Sequence, residues 1–428
     1  MIERCDVAVI GAGPAGLAAA HAAASHGARV ILLDAQPRHG GQIWRHDVAH
    51  GTPPAAQAAI QALSGKVEWR AQHQVVAADG RRLLAETPDG AVEIDAGHVV
   101  IATGARELQL PFLNWTLPGV AGAGGLQALA KQGWPLAGKR VLVAGSGPLL
   151  LAAAATLRKH GAMVVGIHEQ ASAARVAAFA AQLWRWPARA WQAARLRVAL
   201  AGVPYRCGSF VQAASGDTQL RGVELRDADG TRQVECDYLA IGYGLVPNVE
   251  LAALLGCALD RSGTHARVHA DDLLCTSVPG VYAAGEALGI AGLAAARIEG
   301  SMAGHAAADA VDAARALAPA RIRERAFAGL LARHFALDPR LRTLATADTV
   351  VCRCEDVPLS ALDDCPDTRS ARLAARCGMG ACQGRICGAA LAELGRFPND
   401  GPRRPPLFPA RLATLAALPF RPTTEIEP

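Results

Sequence analysis

The sequence predicts an α/β protein with parallel sheets, in which one strand–helix–strand unit occurs twice before the chain enters a small cysteine-rich region. Three observations predict it. Residues 7–36 and 141–170 agree at 14 of 30 positions at a constant offset of 134, without a gap. The first copy carries Gly11, Gly13 and Gly16 between a β-branched run and an alanine-rich stretch. Six of the 11 cysteines fall between Cys352 and Cys387.

The 428 residues, 51% hydrophobic and 19% charged, are enough for about three domains at roughly 150 residues each. Aromatic residues make up only 4%, and the net charge of +5 (43 basic against 38 acidic side chains) is mild, so nothing calls for nucleic acid. The densest basic stretch, Arg321 to Arg342, has six Arg against Glu324 and Asp338. It reads as a solvated helix face, with an acidic protein partner as the second reading. The chain enters a strand-like run at Val7 to Ile10, too early for a signal peptide. Its apolar runs stop far short of the roughly 20 residues of a spanning helix. The expectation is a cytoplasmic chain with no membrane span.

Each copy of the repeat reads as a β-branched run, a glycine turn, an alanine-rich helix ending in His-Gly, and a second apolar strand, which is a βαβ unit. The first copy carries the full dinucleotide fingerprint of a Rossmann-like fold. Gly11 permits the tight turn, Gly13 lets backbone approach a pyrophosphate, and Gly16 lets helix and strand pack closely. Pro14 and Ala15 open the helix, whose N-terminal N–H groups face the phosphates. Asp34 ends the second strand, where a carboxylate accepts hydrogen bonds from a ribose. In the second copy Gly145 and Gly147 remain, but Leu150 stands for the third glycine. His168 stands for the acid, with Glu169 one step late. Both changes weaken an NAD(H) site there, although Glu169 could substitute.

Further along, Gly40, Gly41 and Gln42 bring backbone and an amide close to a flavin ring. Val99 to Thr103 is a buried strand turning at Gly104, and Val281 to Gly285 is another, ending in the acid Glu286. Cys5, Cys207, Cys236, Cys257 and Cys275 are scattered and read as small hydrophobes. The remaining cysteines, in a reducing compartment, point to a metal site more than to disulfides. Cys352 and Cys354 form a C-x-C pair, and Cys382 and Cys387 a C-x4-C pair. These four soft ligands suit a [2Fe–2S] cluster, with zinc as the alternative. Arg353, Arg376 and Arg385 would offset the charge of a cluster. Cys377, five residues before Cys382, could displace one member of this set.

On the motifs GAGPAG (Gly11–Gly16), GGQ (Gly40–Gln42), ATG (Ala102–Gly104) and AAGE (Ala283–Glu286), the sequence resembles the two-dinucleotide-domain flavoprotein reductases, the class of thioredoxin and glutathione reductases. The last motif usually ends in Asp, so Glu286 departs from it. No C-x-x-C occurs anywhere, which disfavours dithiol chemistry. The region of CRCE (Cys352–Glu355) and GMGACQGRIC (Gly378–Cys387) resembles the [2Fe–2S] domain of bacterioferritin-associated ferredoxins. Together the parts resemble the large flavoprotein subunits of heteromeric amino-acid dehydrogenases, of the D-hydroxyproline and proline dehydrogenase, opine oxidase and hydrogen cyanide synthase type.

That resemblance implies FAD held by residues 1–115 and 243–315, through Gly11, Gly13, Pro14, Ala15, Gly16, Asp34, Gly41, Gln42, Thr103, Gly104, Gly285 and Glu286. It implies a second dinucleotide-binding-like domain at 116–242, a basic helical connector at 316–344, a [2Fe–2S] domain at 345–398 and a proline-rich tail at 399–428. The function implied is an electron-transfer subunit whose amino-acid or opine substrate is oxidised on a separate catalytic flavoprotein (beta) subunit, with room for a further small iron–sulfur subunit. The competing reading is a self-contained NAD(P)H-dependent reductase feeding its own cluster. No acid–base pair or nucleophile has diagnostic spacing, and His46 and His50 read as a surface pair.

Overall fold

The structure, a computed structural model, describes residues 2–398 and 404–417. Its first sheet has seven strands. Val67–Ala71, Val30–Asp34, Ile2–Ile10 and Gly90–Ile101 run in that order and in parallel, and Val281–Ala283 adds to Gly90–Ile101. Arg82–Thr87 and Gln74–Asp79 continue the sheet antiparallel. Gly90–Ile101 serves both halves: its first residues pair with Arg82–Thr87 and its last with Val281–Ala283. The strand residues Val7 to Val9 and Ile31 to Leu33 are fully buried, as near-continuous apolar runs in a sheet covered on both faces must be.

The second sheet has five parallel strands in the order Tyr205–Cys207, Met163–Glu169, Arg140–Gly145, Tyr238–Gly242, Val120–Gly122. A three-stranded antiparallel meander (Phe210–Ser215, Gly222–Asp227, Gly230–Glu235) is inserted before its last-formed strand. The chain leaves the first fold through Ala105–Glu107 and returns through Leu245–Pro247, and these two crossings pair antiparallel.

The helix Pro14–Ala24 packs against the helix Leu293–Ala307. The contact is made by backbone. A Cβ on Gly300 would stand 2.1 Å from the Ala15 carbonyl oxygen, and one on Gly304 2.2 Å from that of Ala19. Four residues apart, both glycines lie on one helix face.

Of the basic stretch, Arg323, Arg333, Arg340 and Arg342 are exposed, as a solvated face would have them, but Arg321 and Arg325 of the helix Ala318–His334 turn inward to the fully buried Glu299. Arg325 binds that carboxylate in bidentate fashion at 2.7 and 2.8 Å, and Arg321 joins at 3.2 Å. A carboxylate removed from water requires such partners, and nothing local in the sequence announces it.

The cysteine-rich region is a small unit with its own core of Val351, Val357, Leu362, Ala371, Leu391 and Phe397. Trp115 Nε1 donates to Val350 O at 2.6 Å, and Glu393 accepts from Arg342 and pairs with His265 at 3.1 Å. The proline-rich segment, in its described part 404–417, wraps the first sheet. Leu407 N donates to Val76 O at 2.7 Å, and Arg411 binds Glu86 at 2.7 Å and the Thr87 carbonyl. The rest of the expected tail, 399–403 and 418–428, lies outside the described residues.

Gly300→Ala should destabilise the chain by about 1–3 kcal/mol through overpacking. Gly329→Ala, at a helix position with open space around it, should stabilise it by up to about 1 kcal/mol. Chemical denaturation of the two variants measures both.

Candidate functional site

The first glycine turn is built where strand Ile2–Ile10 gives way to helix Pro14–Ala24. Gly11 has φ +106, and its N–H donates to Leu33 O at 2.7 Å. A Cβ there would lie 2.4 Å from Ala102 O, and one on Gly16 would lie 1.7 Å from Gly11 O. Gly41 closes over the turn, its would-be Cβ only 2.9 Å from Gly13 Cα, and Gly40 N donates to Ala12 O. Gly285 presses on Ala15 in the same way, at 2.9 Å. A Cβ on Gly13, by contrast, would meet only Gly41 Cα, at 3.9 Å. The turn is closed on every side except the one a pyrophosphate would use, so these residues fit a dinucleotide.

Asp34 accepts from Ala12 N at 2.6 Å and from Gln36 N at 2.8 Å. Burial pushes its carboxyl above the ordinary aspartate value, and the two backbone N–H groups oppose that. Thr103 and Gly104 are locked to the returning crossover. Thr103 Oγ1 donates to Asn248 O at 2.7 Å, Asn248 Nδ2 returns a bond to Thr103 O at 2.9 Å, and Asn248 N donates to Gly104 O at 3.0 Å. Two predicted side chains are turned elsewhere. Glu286 accepts from Ala291 N and Gly292 N at 2.9 and 2.8 Å, holding the loop before the helix Leu293–Ala307. Gln42 accepts from Arg45 at 2.7 Å.

The second turn repeats the first without an insertion, since the offset of 134 still holds at His26-Gly27 and His160-Gly161. Val7 pairs with Val30 as Val141 pairs with Val164, but a bulge at Val165 then advances the second strand by one, so that Ala144 faces His168 and Gly145 faces Glu169. The 11-residue helix, however, starts at Leu149 where the first starts at Pro14, an offset of 135. With the strand advanced, Glu169, not His168, takes the place of Asp34. It accepts from Gly147 N at 2.6 Å and from Ala171 N at 2.9 Å, the same pair of bonds one position on. Leu150 is fully buried among Ala123, Leu126 and Leu157. Burial raises the Glu169 carboxyl to about 7 and lowers His168 to about 4, and His168 pairs with Ser209 at 2.9 Å.

Five of the clustered cysteines fall into two groups. The sulfurs of Cys352, Cys377 and Cys387 all lie within 4.8 Å of one another. Cys352 also accepts from Gly378 N at 3.4 Å. Hydrogen bonds from the thiols of Cys377 and Cys387 hold Cys352 far below the ordinary thiol range, while the same contact with Cys352 drives the other two up. Cys354 takes a hydrogen bond from the Cys382 backbone N–H, which favours its thiolate, but burial and the Cys382 thiol outweigh it. A Cβ on Gly380 would stand 2.2 Å from Cys354 Cβ, so glycine is obligatory there. A set of five soft donors in this space fits a thiolate-bound metal centre. The arginines expected to offset its charge have carboxylates of their own: Arg376 pairs with Glu355 at 2.8 Å, and Arg385 lies 3.8 Å from Glu250.

A polar chain joins the two regions. Arg106 Nη1 binds Asn248 Oδ1 at 2.7 Å and Glu250 Oε1 at 2.8 Å, and Arg106 Nε donates to Arg385 O at 3.1 Å. Arg385 in turn donates to Cys382 O at 3.2 Å. The sequence did not single out Asn248, Arg106 or Glu250, because they belong to the crossover strands and their neighbours and carry no local motif. The imidazole of His50 lies 3.2 Å from Asp47, which His160 also binds at 2.9 Å. This clip ties the 46–51 loop to the end of the second repeat's helix.

Two dinucleotide folds joined by a paired crossover, the first with an open glycine turn and an acid on its second strand, define a two-domain flavoprotein oxidoreductase. The family of pyridine nucleotide-disulphide oxidoreductases matches residues 5–310. The chain belongs to that family and is an FAD-dependent oxidoreductase. It is similar to the hydrogen cyanide synthase subunit HcnB of Pseudomonas aeruginosa, at 32% identity over 89% of this chain and 90% of that one. It is equally similar to an opine oxidase subunit of Rhizobium meliloti, at 32% over 96% and 98%. Its fold is like that of L-proline dehydrogenase from P. horikoshii, with a TM-score of 0.66 at 22% identity, covering 97% of this chain and 80% of that one. Thioredoxin reductase from T. acidophilum, with a TM-score of 0.55 at 24% identity, covers 72% of this chain and 99% of its own. Among the described residues no helix is long and apolar enough to cross a membrane.

Gly13→Val should leave the fold intact, because its side chain enters open space, but should abolish FAD uptake. Flavin absorbance of the purified variant, set beside its circular dichroism, separates the two effects.

Proposed function

We propose that this chain is the electron-transferring subunit of a heteromeric amino-acid or opine dehydrogenase, carrying FAD and one [2Fe–2S] cluster. The observation that carries the reading is the cluster of soft donors joined to the flavin-side strand by Thr103, Asn248, Arg106 and Arg385. When bound, a flavin takes electrons in pairs and an iron–sulfur cluster passes them singly, so the two together convert pairwise into single-electron transfer. In this reading residues 1–115 and 243–315 hold the flavin, 116–242 form the second dinucleotide-like domain, and 345–398 the cluster domain. Cys352, Cys354, Cys382 and Cys387 are the ligands. Gly378 stabilises the Cys352 thiolate through its N–H, and Arg106 fixes the spacing between the regions. The relatives named as subunits of opine oxidase and hydrogen cyanide synthase support a partner subunit, which in this reading is a catalytic flavoprotein in the cytoplasm. So does the surface of the helix Pro187–Ala199, which buries none of its residues and leaves Trp191 68% exposed beside Trp184 at 77%. Apolar surface of this kind marks interaction sites.

The alternative, a self-contained NAD(P)H-dependent reductase, draws on the hydrogen bonds of Glu169, which repeat those of Asp34.

Iron and sulfide analysis tests the ligand set. Cys382→Ser should lose the cluster, and Cys377→Ser should retain it; the reverse pattern would transfer the ligand role to Cys377. Dye reduction with proline, hydroxyproline, glycine, sarcosine and opines tests the partner. The isolated chain should give no turnover and the co-expressed pair should. Robust turnover by a homogeneous single-chain preparation would refute the partner requirement.

A further inference from the structure

The two glycine turns share one architecture and differ in what lies over them. Gly13 is half-exposed, and only Gly41 Cα approaches its open side. Gly147, which donates to Glu169 as Ala12 donates to Asp34, is buried, and a Cβ on it would meet the Phe335 ring at 3.6 Å, whereas among the described residues no ring comes near the first turn at Gly13. Asp34 is half-exposed, whereas Glu169 has no exposed surface at all. What covers the second turn is the chain's own segment 333–338, the end of the helix Ala318–His334 and the residues after it.

The segment is bound as a ligand would be. Ser146, the middle residue of the turn, donates from Oγ to Phe335 O at 2.9 Å. Gln170, at the end of the second strand, donates to Ser146 Oγ at 2.9 Å and to Ala336 O at 3.2 Å, and accepts from Asp338 N at 2.9 Å. Arg175 donates to Arg333 O at 3.0 Å and to Ala336 O at 3.4 Å. The Phe335 ring also packs edge-on against Phe179, with centroids 5.0 Å apart. Gly147, just before the second helix, meets a neutral aromatic ring, and the polar groups beside it are engaged by peptide carbonyls and an N–H.

We propose that segment 333–338 occupies the second dinucleotide site, so that peptide and dinucleotide are mutually exclusive there. The site takes this chain's own peptide in place of NAD(H), and the duplicated fold becomes a socket. Asp338 leads directly into Pro339–Thr343, whose Leu341 is fully buried in the core beside Phe210 and Ala389. Seating the segment therefore also fixes where the cysteine-rich unit begins. This does not depend on the chain being an electron-transfer subunit.

The test is hydrogen-exchange mass spectrometry on the full-length, FAD-loaded protein, with and without about 1 mM NADH, the upper end of common substrate affinities, alongside anaerobic flavin absorbance. Residues 145–149 and 333–338 should be protected, and the flavin should stay oxidised. A closed site lowers apparent affinity by the fraction of time it is open. Phe335→Ala, by releasing the segment, should therefore bind NADH at least about tenfold more tightly than the parent. Binding to the parent accompanied by loss of protection at 333–338 would also support a shared site. Binding with 333–338 still protected would overturn the proposal, as would an unprotected segment in the parent, or a released segment in Phe335→Ala with no gain in affinity. The parent measurements decide the matter even if the variant fails to fold.

Discussion

Close approach of backbone to backbone at the first glycine turn is the constraint from which the rest of the molecule follows. Segments around residues 11–16, 40–41, 102, 285 and 300 are far apart in the chain, yet they meet at distances where no side chain fits. Carbonyl and Cα groups, which cannot change rotamer, define the shape of the cavity. Where backbone rather than side chains sets the shape of a turn, preorganisation lowers the entropic cost of binding. The helix Leu293–Ala307 belongs to the same constraint. Its Gly300 and Gly304 bring it onto the helix Pro14–Ala24, and its Glu299 then needs Arg321 and Arg325. The connector helix is thereby fixed to the flavin side at one end while its other end reaches the second fold.

Duplication and divergence are visible in the second turn. A bulge at Val165 advances the second strand by one position and brings Glu169 into the acid's place, while the helix starts one residue later with Leu150 buried where a glycine stood. The fold tolerates the change because the strand-to-helix hydrogen bonds are remade by the shifted partner. What changes is access. A half-exposed carboxylate can meet a ribose; a fully buried one, pushed up to about 7 by burial, serves only the turn beside it.

Much of this was legible in the sequence because its signals are local. The glycine spacing, the βαβ repeat and the acid at position 34 describe contacts within about 25 residues of each other, and the structure gathers them around one turn. The bulge at Val165 was not legible, since the gapless alignment at an offset of 134 runs straight through it. The pairs Arg325–Glu299, Arg106–Asn248 and Arg385–Glu250 were equally hidden. They join residues 26, 142 and 135 positions apart, and no periodicity records such distances. Arg321 and Arg325, in a run whose other arginines are exposed, turn inward for the same reason: their carboxylate partner is not a sequence neighbour. Composition suggested an extended tail, and it could not say that residues 404–417 would lie on the chain's own first sheet.

In the function proposed, one chain holds both a pairwise and a single-electron carrier, kept in register by Arg106. Anaerobic reductive titration of the purified chain, followed by absorbance and electron paramagnetic resonance, tests it most directly. The account predicts uptake of three electron equivalents per chain, two by the flavin and one by the cluster, with a paramagnetic signal from reduced iron. Uptake of two equivalents with no iron signal would contradict it.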